Sequence, residues 1–338
     1  DFQNQTVRSE GTNRWYSSGL KLNYRNNWTD AIAFEVALEE SIDKLVSDSF
    51  SSDFRSTTSL NLTSLISWGD STIIHPKLRI EFVSDLDQPA SIHPGIGGTH
   101  QISEPTRILW NLSWIQRAPN FNEMYFKIPN FYEPNKNLNR EMSLQGDMGF
   151  ETNLENRFRW VQTFFFDRKH DLLESGPIGG GVFQTQNQNS SILYGIESDL
   201  LLHLHQEFDW DTAYTLQWSR VSSAKTDFLD FSTPPHSRQA FYMPLHKLVL
   251  TPILFPNRSA SLSLPVYIRS SVLASGAGDR VGPQLDVGLD LRADPVPRIF
   301  PFEFRLKFRN LIGWHRTETK GYPLPDEPTF QTSLTYVF

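Results

Sequence analysis

The chain has 338 residues, of which 38% are hydrophobic and 13% aromatic, and it carries a net charge of −7. The absence of cysteine excludes disulfides, thiolate metal sites and cysteine nucleophiles. The acidic balance disfavours a nucleic-acid surface, which needs a concentrated basic stripe, and no apolar run approaches the roughly 20 residues of a transmembrane helix.

Along the chain, the sequence predicts about fifteen strands of roughly 10–15 residues, starting near Arg14 and joined alternately by short turns and long loops. The longest loops are predicted at Arg117–Asn139, Leu173–Asn189 and Ser222–Met243. Such alternation is typical of a membrane barrel with tight turns on one side and long loops on the other. Because a closed barrel with both ends on one side needs an even strand count, either Asp1–Thr12 holds an extra strand or sequence lies upstream.

Within these strands, apolar and polar residues alternate with a period of two. A helix, with 3.6 residues per turn, would place apolar and polar residues of such a sequence on the same face. One late strand places Phe302, Phe304, Leu306 and Phe308 opposite Glu303, Arg305, Lys307 and Arg309. Alternation alone also fits a soluble sandwich. Four successive charged positions favour a water-filled lumen with the apolar face in lipid. We therefore predict one all-β domain over residues 1–338, a transmembrane antiparallel β-barrel with about 14–16 strands in this chain.

Several motifs occur in a fixed order in the later part of the chain. They are Arg117–Tyr125 (R-A-P-N-F-N-E-M-Y), Asn135–Ser143 (N-K-N-L-N-R-E-M-S), Phe164–Leu172 (F-F-F-D-R-K-H-D-L), Tyr194–Glu197 (Y-G-I-E) and Gly321–Pro325 (G-Y-P-L-P), followed by the terminal Phe338. Together they resemble the landmarks of TonB-dependent receptors, in the order in which that family carries them.

The resemblance implies the C-terminal part of a 22-strand barrel in a Gram-negative outer membrane, surrounded by lipid. It also implies that Phe338 is the aromatic residue read by the barrel-assembly machinery. Lys136 and Arg140 depart from the family pattern, which has proline at both positions, and Asp326-Glu327 stands where the family has Gly-Arg. Nothing in the sequence resembles the family's N-terminal plug or TonB box, so the TonB system is an implied partner only if a plug lies upstream.

The long loop after Arg117 supplies the candidate ligand-binding residues, because loops carry function while the barrel positions them. Its aromatic residues could grip a large flat or greasy ligand, and they are Tyr125, Phe126, Phe131 and Tyr132. The alternative is a self-packed loop or an aromatic girdle.

Charged residues are the second group of candidates. Arg117 and Glu123 are expected to face a plug or lumen partner, or to pair with each other inside the barrel. The four charges of the late strand are expected to line the lumen, and they are Glu303, Arg305, Lys307 and Arg309. There they either set solute selectivity or form a solvated ladder of cross-strand pairs.

Metal binding and catalysis find little support in the sequence. His203 and His205, beside Glu207, could share one side of a strand as metal ligands, but solvated lumen histidines are the simpler interpretation. No G-x-S-x-G elbow, phosphate loop or H-E-x-x-H is present. We predict no enzyme activity, no cofactor and no metal.

Three functions remain from the sequence. The first is a receptor barrel importing a large scarce solute of siderophore, cobalamin or glycan type. The second is a plugless barrel with a structural role in an envelope complex, its lumen filled by a partner protein. The third is a passive porin.

Overall fold

The computed structural model describes residues 13–47, 54–154, 157–222, 239–255, 259–274, 278–294, 302–314, 317–319, 322–323 and 329–336. Within them, 16 strands form one antiparallel sheet, and two short hairpins lie outside it. The all-β prediction and the predicted strand number are confirmed.

The first ten strands are long. They are β1 (Asn13–Thr29), β2 (Ile32–Ser47), β3 (Phe54–Trp68), β4 (Thr72–Val83), β5 (Ala90–Ser103), β6 (Thr106–Arg117), β7 (Glu141–Leu154), β8 (Phe158–Gly179), β9 (Val182–His205) and β10 (Phe208–Ser222). One short helix, α1 (Phe121–Tyr125), lies between β6 and β7.

The remaining strands are shorter. They are β11 (His246–Leu254), β12 (Ala260–Ser263), β13 (Val266–Arg269), β14 (Val272–Leu273), β15 (Arg280–Val281), β16 (Gln284–Ala293), β17 (Phe302–Trp314), β18 (Thr317–Thr319), β19 (Tyr322–Pro323) and β20 (Thr329–Tyr336).

Each long strand pairs with its neighbours in sequence, so the sheet is a meander from β1 to β20. β12 and β13 share one position between β11 and β16. The hairpins β14–β15 and β18–β19 lie off this path. Among the described residues, β1 and β20 do not pair with each other.

The register places the apolar residues of successive strands on one face. Even-numbered residues face each other from β1 to β10, as in the row Leu22, Leu38, Leu60, Ile80 and Ile92. Four of these five side chains are 39–56% exposed. A continuous exposed apolar face of this kind indicates contact with lipid.

The opposite face is polar. Lys21 pairs with Glu39 at 2.6 Å across β1 and β2, and Arg79 pairs with Glu81 at 2.7 Å on β4. The predicted alternation of an apolar and a charged face therefore holds in the structure. We call the odd-numbered side of β1–β10 the polar face.

The prediction of a loop at Leu173–Asn189 is wrong, because β8 and β9 continue through this segment as one long hairpin. Gly179, Gly180 and Gly181 form the turn with φ of 108°, 61° and 80°, a left-handed conformation that glycine adopts without steric cost. The Gly-, Gln- and Asn-rich composition of this segment resembles a loop, but its residues pair in register. A bulge between Lys169 and Leu172 separates this extension from the rest of the sheet.

The predicted loop Arg117–Asn139 is confirmed and contains α1. No helix among the described residues is long and apolar enough to cross a membrane. The proposed extra strand at Asp1–Thr12 and the terminal Phe338 lie outside the described residues.

Candidate functional site

The β6–β7 loop folds over the polar face, at the end of the sheet opposite the short turns. Helix α1 begins after Asn120, whose side-chain oxygen accepts from the Glu123 N–H at 3.0 Å. The Glu123 carboxylate in turn accepts from the Asn120 N–H at 2.7 Å. This reciprocal capping box fixes the start of a helix that is too short to be stable alone.

A small hydrophobic core holds the loop against the sheet. Its buried members are Val83, Leu86, Phe121, Met124, Tyr125 and Leu138. They come from the end of β4, the β4–β5 turn and the β6–β7 loop, so two connections at the same end of the sheet share one core. The loop is therefore packed against the sheet through its own apolar side chains.

A buried ion pair lies beneath this core. Arg55 on β3 donates to both carboxylate oxygens of Asp85, at 2.7 and 2.9 Å, and to the carbonyl of Pro119 at 2.7 Å. The Tyr125 hydroxyl donates to the same Asp85 carboxylate at 2.8 Å. Tyr125 is only 3% exposed, so it supports the loop from within and offers no surface to a ligand.

Arg117 and Glu123, predicted from the motif, lie together at the end of β6. Arg117 donates two hydrogen bonds to Glu123, at 2.9 and 3.0 Å, and a third to Glu141 at 3.2 Å. Lys169 lies 3.7 Å from Glu141. These four groups form an ion network that ties the loop to β7 and β8.

The other three aromatic candidates lie on the outer part of the loop. The rings of Phe126 and Tyr132 are 5.5 Å apart, and Phe131 lies 5.5 Å from Phe183 of β9. The Phe183 N–H donates to the Phe131 carbonyl at 2.8 Å. Phe131 remains 52% exposed. The loop and the hairpin tip thus present one aromatic surface, which we call the aromatic tip (Phe126, Phe131, Tyr132 and Phe183).

The predicted charges of β17 lie elsewhere, far along the sheet from the loop. Lys307 is 3.6 Å from Asp290, and Glu303 is 3.7 Å from Arg292 and 3.6 Å from Arg305. Arg309 donates to the Tyr267 hydroxyl at 2.7 Å. These side chains form a ladder across β13, β16 and β17, with no link to the loop among the described residues.

Sequence reasoning missed two ion pairs that hold the site. Arg55–Asp85 is one, and Arg140–Glu81, at 2.7 Å, is the other. Arg140 also donates to the Pro89 carbonyl at 2.9 Å. The only signal for the second pair was that Arg140 stands where the resembling family has proline. No local pattern marks Arg55.

The candidate metal ligands near the β9–β10 turn are not assembled. His203 pairs with Asp209 at 3.0 Å, and the His205 ring accepts from the Glu207 N–H at 3.3 Å. No group of three or more potential metal ligands occurs within the described ranges.

The fold and the packed loop define a class of membrane protein, and comparison with known families identifies it. The family model described as TonB dependent receptor-like, beta-barrel matches residues 1–264. The chain belongs to this family, which is one of outer-membrane transport receptors. The predicted family and outer-membrane location are therefore confirmed, as is the prediction that the protein is a transport receptor and not an enzyme. No curated protein matches the chain.

Solved receptor structures share the fold at low identity. The siderophore receptor PirA from Pseudomonas aeruginosa is 16% identical, with a TM-score of 0.72 over 97% of this chain and 56% of that one. A mutant of the ferric enterobactin receptor PfeA from the same organism, in complex with enterobactin, is 16% identical, with a TM-score of 0.69 over 96% and 54%. The FrpB iron transporter from Neisseria meningitidis is 10% identical, with a TM-score of 0.67 over 88% and 51%. The chain spans about half the length of these structures.

Proposed function

We propose that this chain forms the barrel of an outer-membrane receptor that takes up a large, scarce solute, and that residues 1–338 form one barrel domain. Family membership supports the receptor, and the unbroken ladder from β1 to β20 supports the single domain. Siderophore, cobalamin and glycan solutes are all compatible with it. Ferric siderophores are the first to test, because two of the similar structures above are siderophore receptors.

The observation that carries this proposal is the pre-organised aromatic tip. The core and the ion network hold its loop in place before any ligand arrives, which lowers the entropy lost on binding. Phe131 is the most exposed member of the aromatic tip and offers a flat apolar surface. In this arrangement the solute docks on Phe131 while Tyr125 and Arg117 hold the loop from below.

Binding by the aromatic tip can be tested with a matched pair of variants. Phe131→Ala should weaken solute binding about tenfold, the effect expected of a truncated aromatic hot spot. Phe164→Ala is the control, because Phe164 is 53% exposed on the apolar face of β8. Binding is followed by tryptophan fluorescence of the purified protein, titrated with ferric enterobactin, cobalamin and maltoheptaose.

Saturable binding of one solute, weakened by Phe131→Ala alone, supports the proposal, as does uptake in cells that requires an energised TonB system. Equal affinity of the two variants would contradict the role of the aromatic tip. Failure to bind any solute, together with a stoichiometric protein partner in the lumen, would favour the structural role. Ohmic conductance of the purified chain would favour a porin.

A further inference from the structure

A cavity of about 530 Å³ opens in the wall of the sheet near the loop end of β10. Its lining residues are Gln217, Trp218, Ser219, Arg220, Gln239, Leu245, Ser270, Ser271 and Arg280. The volume lies within the roughly 300–1,000 Å³ typical of small-molecule sites. We call this cavity the wall cleft.

The wall cleft exists because β10 runs on past the end of β11. The last residue pair between the two strands is Leu216 with His246, followed by a bond from the Gln217 N–H to the Leu245 carbonyl at 2.9 Å. Beyond it, β10 pairs only with β9 within the described residues. Alternate residues of a strand direct their N–H groups to the same side, so the Ser219 N–H points to the side of the Gln217 N–H, where no described strand pairs with it.

The described lining of the wall cleft offers one available cation, Arg280, since Arg220 already has an interaction partner of its own. Arg220 and Arg280 line it, and none of its described lining residues is acidic. Arg280 is exposed, and within the described part of the chain it has no hydrogen-bond or ion-pair partner. A guanidinium in this position is available to bind a phosphate or carboxylate in a bidentate manner.

Each of the two amide side chains already donates one hydrogen bond from its nitrogen. Gln217 donates from Nε2 to the Pro244 carbonyl at 3.0 Å, and Gln239 donates from Nε2 to the Met243 carbonyl at 2.9 Å. Each amide is thereby oriented, and its oxygen remains as an acceptor for a ligand hydroxyl.

The serine hydroxyls add donors. The Ser270 hydroxyl accepts from the His246 N–H at 3.1 Å, so its own proton is free to donate. Ser219 and Ser271 have no hydrogen-bond partner for their hydroxyls among the described residues, and Ser219 is only 8% exposed. Together with the Arg280 guanidinium, these hydroxyls suit a ligand that is rich in oxygen and negative in charge.

Trp218 lines the wall cleft from the even-numbered, apolar side of the sheet, opposite the side that carries Gln217 and Ser219. Its ring stacks on Tyr194 at 5.6 Å with an interplanar angle of 18°, while 40% of the residue stays exposed. Hydroxyl-binding groups and an anion-binding guanidinium fit a sugar that carries an acidic group, and the fixed ring borders them on the apolar side.

We propose that the wall cleft binds a saccharide bearing a phosphate or carboxylate, with Arg280 on the acidic group and Ser219, Ser270 and Ser271 on sugar or acid oxygens. The source is either a free anionic saccharide or the phosphosugar headgroup of lipopolysaccharide in the outer leaflet. This site is separate from the aromatic tip, since it lies on β10–β15, so either proposal can fail without the other.

The test uses the purified full chain in a zwitterionic detergent, which avoids competing sugar headgroups. Calorimetric titration with glucose 1-phosphate should show saturable binding, and titration with glucose should show much weaker binding. Arg280→Gln should weaken glucose 1-phosphate binding about tenfold, the effect of losing one charge-assisted hydrogen bond. Arg25→Gln on β1 is the matched control, an exposed arginine without a described partner, and should bind like the wild type.

A second experiment distinguishes a free saccharide from the lipopolysaccharide headgroup as the ligand. Lipopolysaccharide retained by wild-type, Arg280→Gln and Arg25→Gln proteins after extraction from the outer membrane is quantified by mass spectrometry. Retention that Arg280→Gln alone abolishes assigns the wall cleft to the lipid headgroup. Glucose 1-phosphate binding without such retention assigns it to a free saccharide.

Two results would overturn the proposal. One is the absence of both glucose 1-phosphate binding and lipopolysaccharide retention in the wild type. The other is an Arg280→Gln protein that matches the wild type in both experiments. Retention of the folded band on an unboiled gel confirms that each variant has folded.

Discussion

At the scale of single residues, the loop is held by charges whose partners are distant in sequence. Asp85 lies 30 residues after Arg55, and Arg140 lies 59 residues after Glu81. Arg117 and Glu123, by contrast, are six residues apart inside one motif, and the sequence predicted that they could pair. A local sequence pattern can reveal ion pairs between residues that are close in sequence. Ion pairs between strands depend on the strand register, which cannot be deduced from such a pattern.

Arg55→Ala should destabilise the folded protein by about 3 kcal/mol, because it leaves the Asp85 carboxylate buried without its cation. The temperature at which the folded band disappears on a cold-versus-boiled gel should fall accordingly. The pair is 9% and 11% exposed at its two side chains, so solvent cannot replace the missing charge.

The control for this effect is Arg107→Ala. Arg107 is 47% exposed, and its partner Glu151 keeps a second bond from Arg159 at 2.9 Å. Its loss should cost less than about 1 kcal/mol, as for exposed ion pairs. Equal unfolding temperatures for the two variants would show that the Arg55–Asp85 pair does not stabilise the loop.

At the scale of elements, the alternation of apolar and polar residues predicted where strands occur, but it predicted poorly where they end. The β8–β9 extension has alternating pairs such as Ser175 with Thr185, but polar residues occupy both faces. An element that leaves the membrane has no lipid on either side, so its sequence loses the apolar alternation. Its strands therefore resembled a loop.

Gly181→Val tests the turn of this hairpin. A β-branched residue at φ of 80° is strained, by roughly 1–2 kcal/mol, and should loosen the tip. Limited proteolysis of intact cells should then cut between β8 and β9 faster than in the wild type. Ile178→Val, beside the turn, is the control, and unchanged cleavage of Gly181→Val would show that the turn tolerates the substitution.

At the scale of the whole molecule, the meander and its two faces could be predicted because every strand repeats the same alternation. The arrangement of β12, β13 and the hairpin β14–β15 could not, because Pro252 and Pro265 interrupt the pattern there. The wall cleft also escaped prediction, since it arises where two neighbouring strands differ in length.

Deletion of Phe338 should reduce the amount of folded protein in the outer membrane, if the barrel-assembly machinery reads the terminal aromatic residue as the family resemblance implies. Phe338→Tyr keeps an aromatic ring and is expected to assemble normally. Quantification of the folded band in membrane fractions measures both. Normal assembly of the deletion variant would remove Phe338 from the assembly signal.

The β8–β9 hairpin is long enough to extend beyond the membrane. Eight residues of β8, Leu172–Gly179, lie beyond the bulge, which corresponds to on the order of 25 Å of strand. Since roughly 9–11 residues suffice to cross the bilayer, this part stands clear of the membrane. Ile178 at its tip is 45% exposed, so among the described segments this hairpin is a natural epitope for antibodies that label living cells.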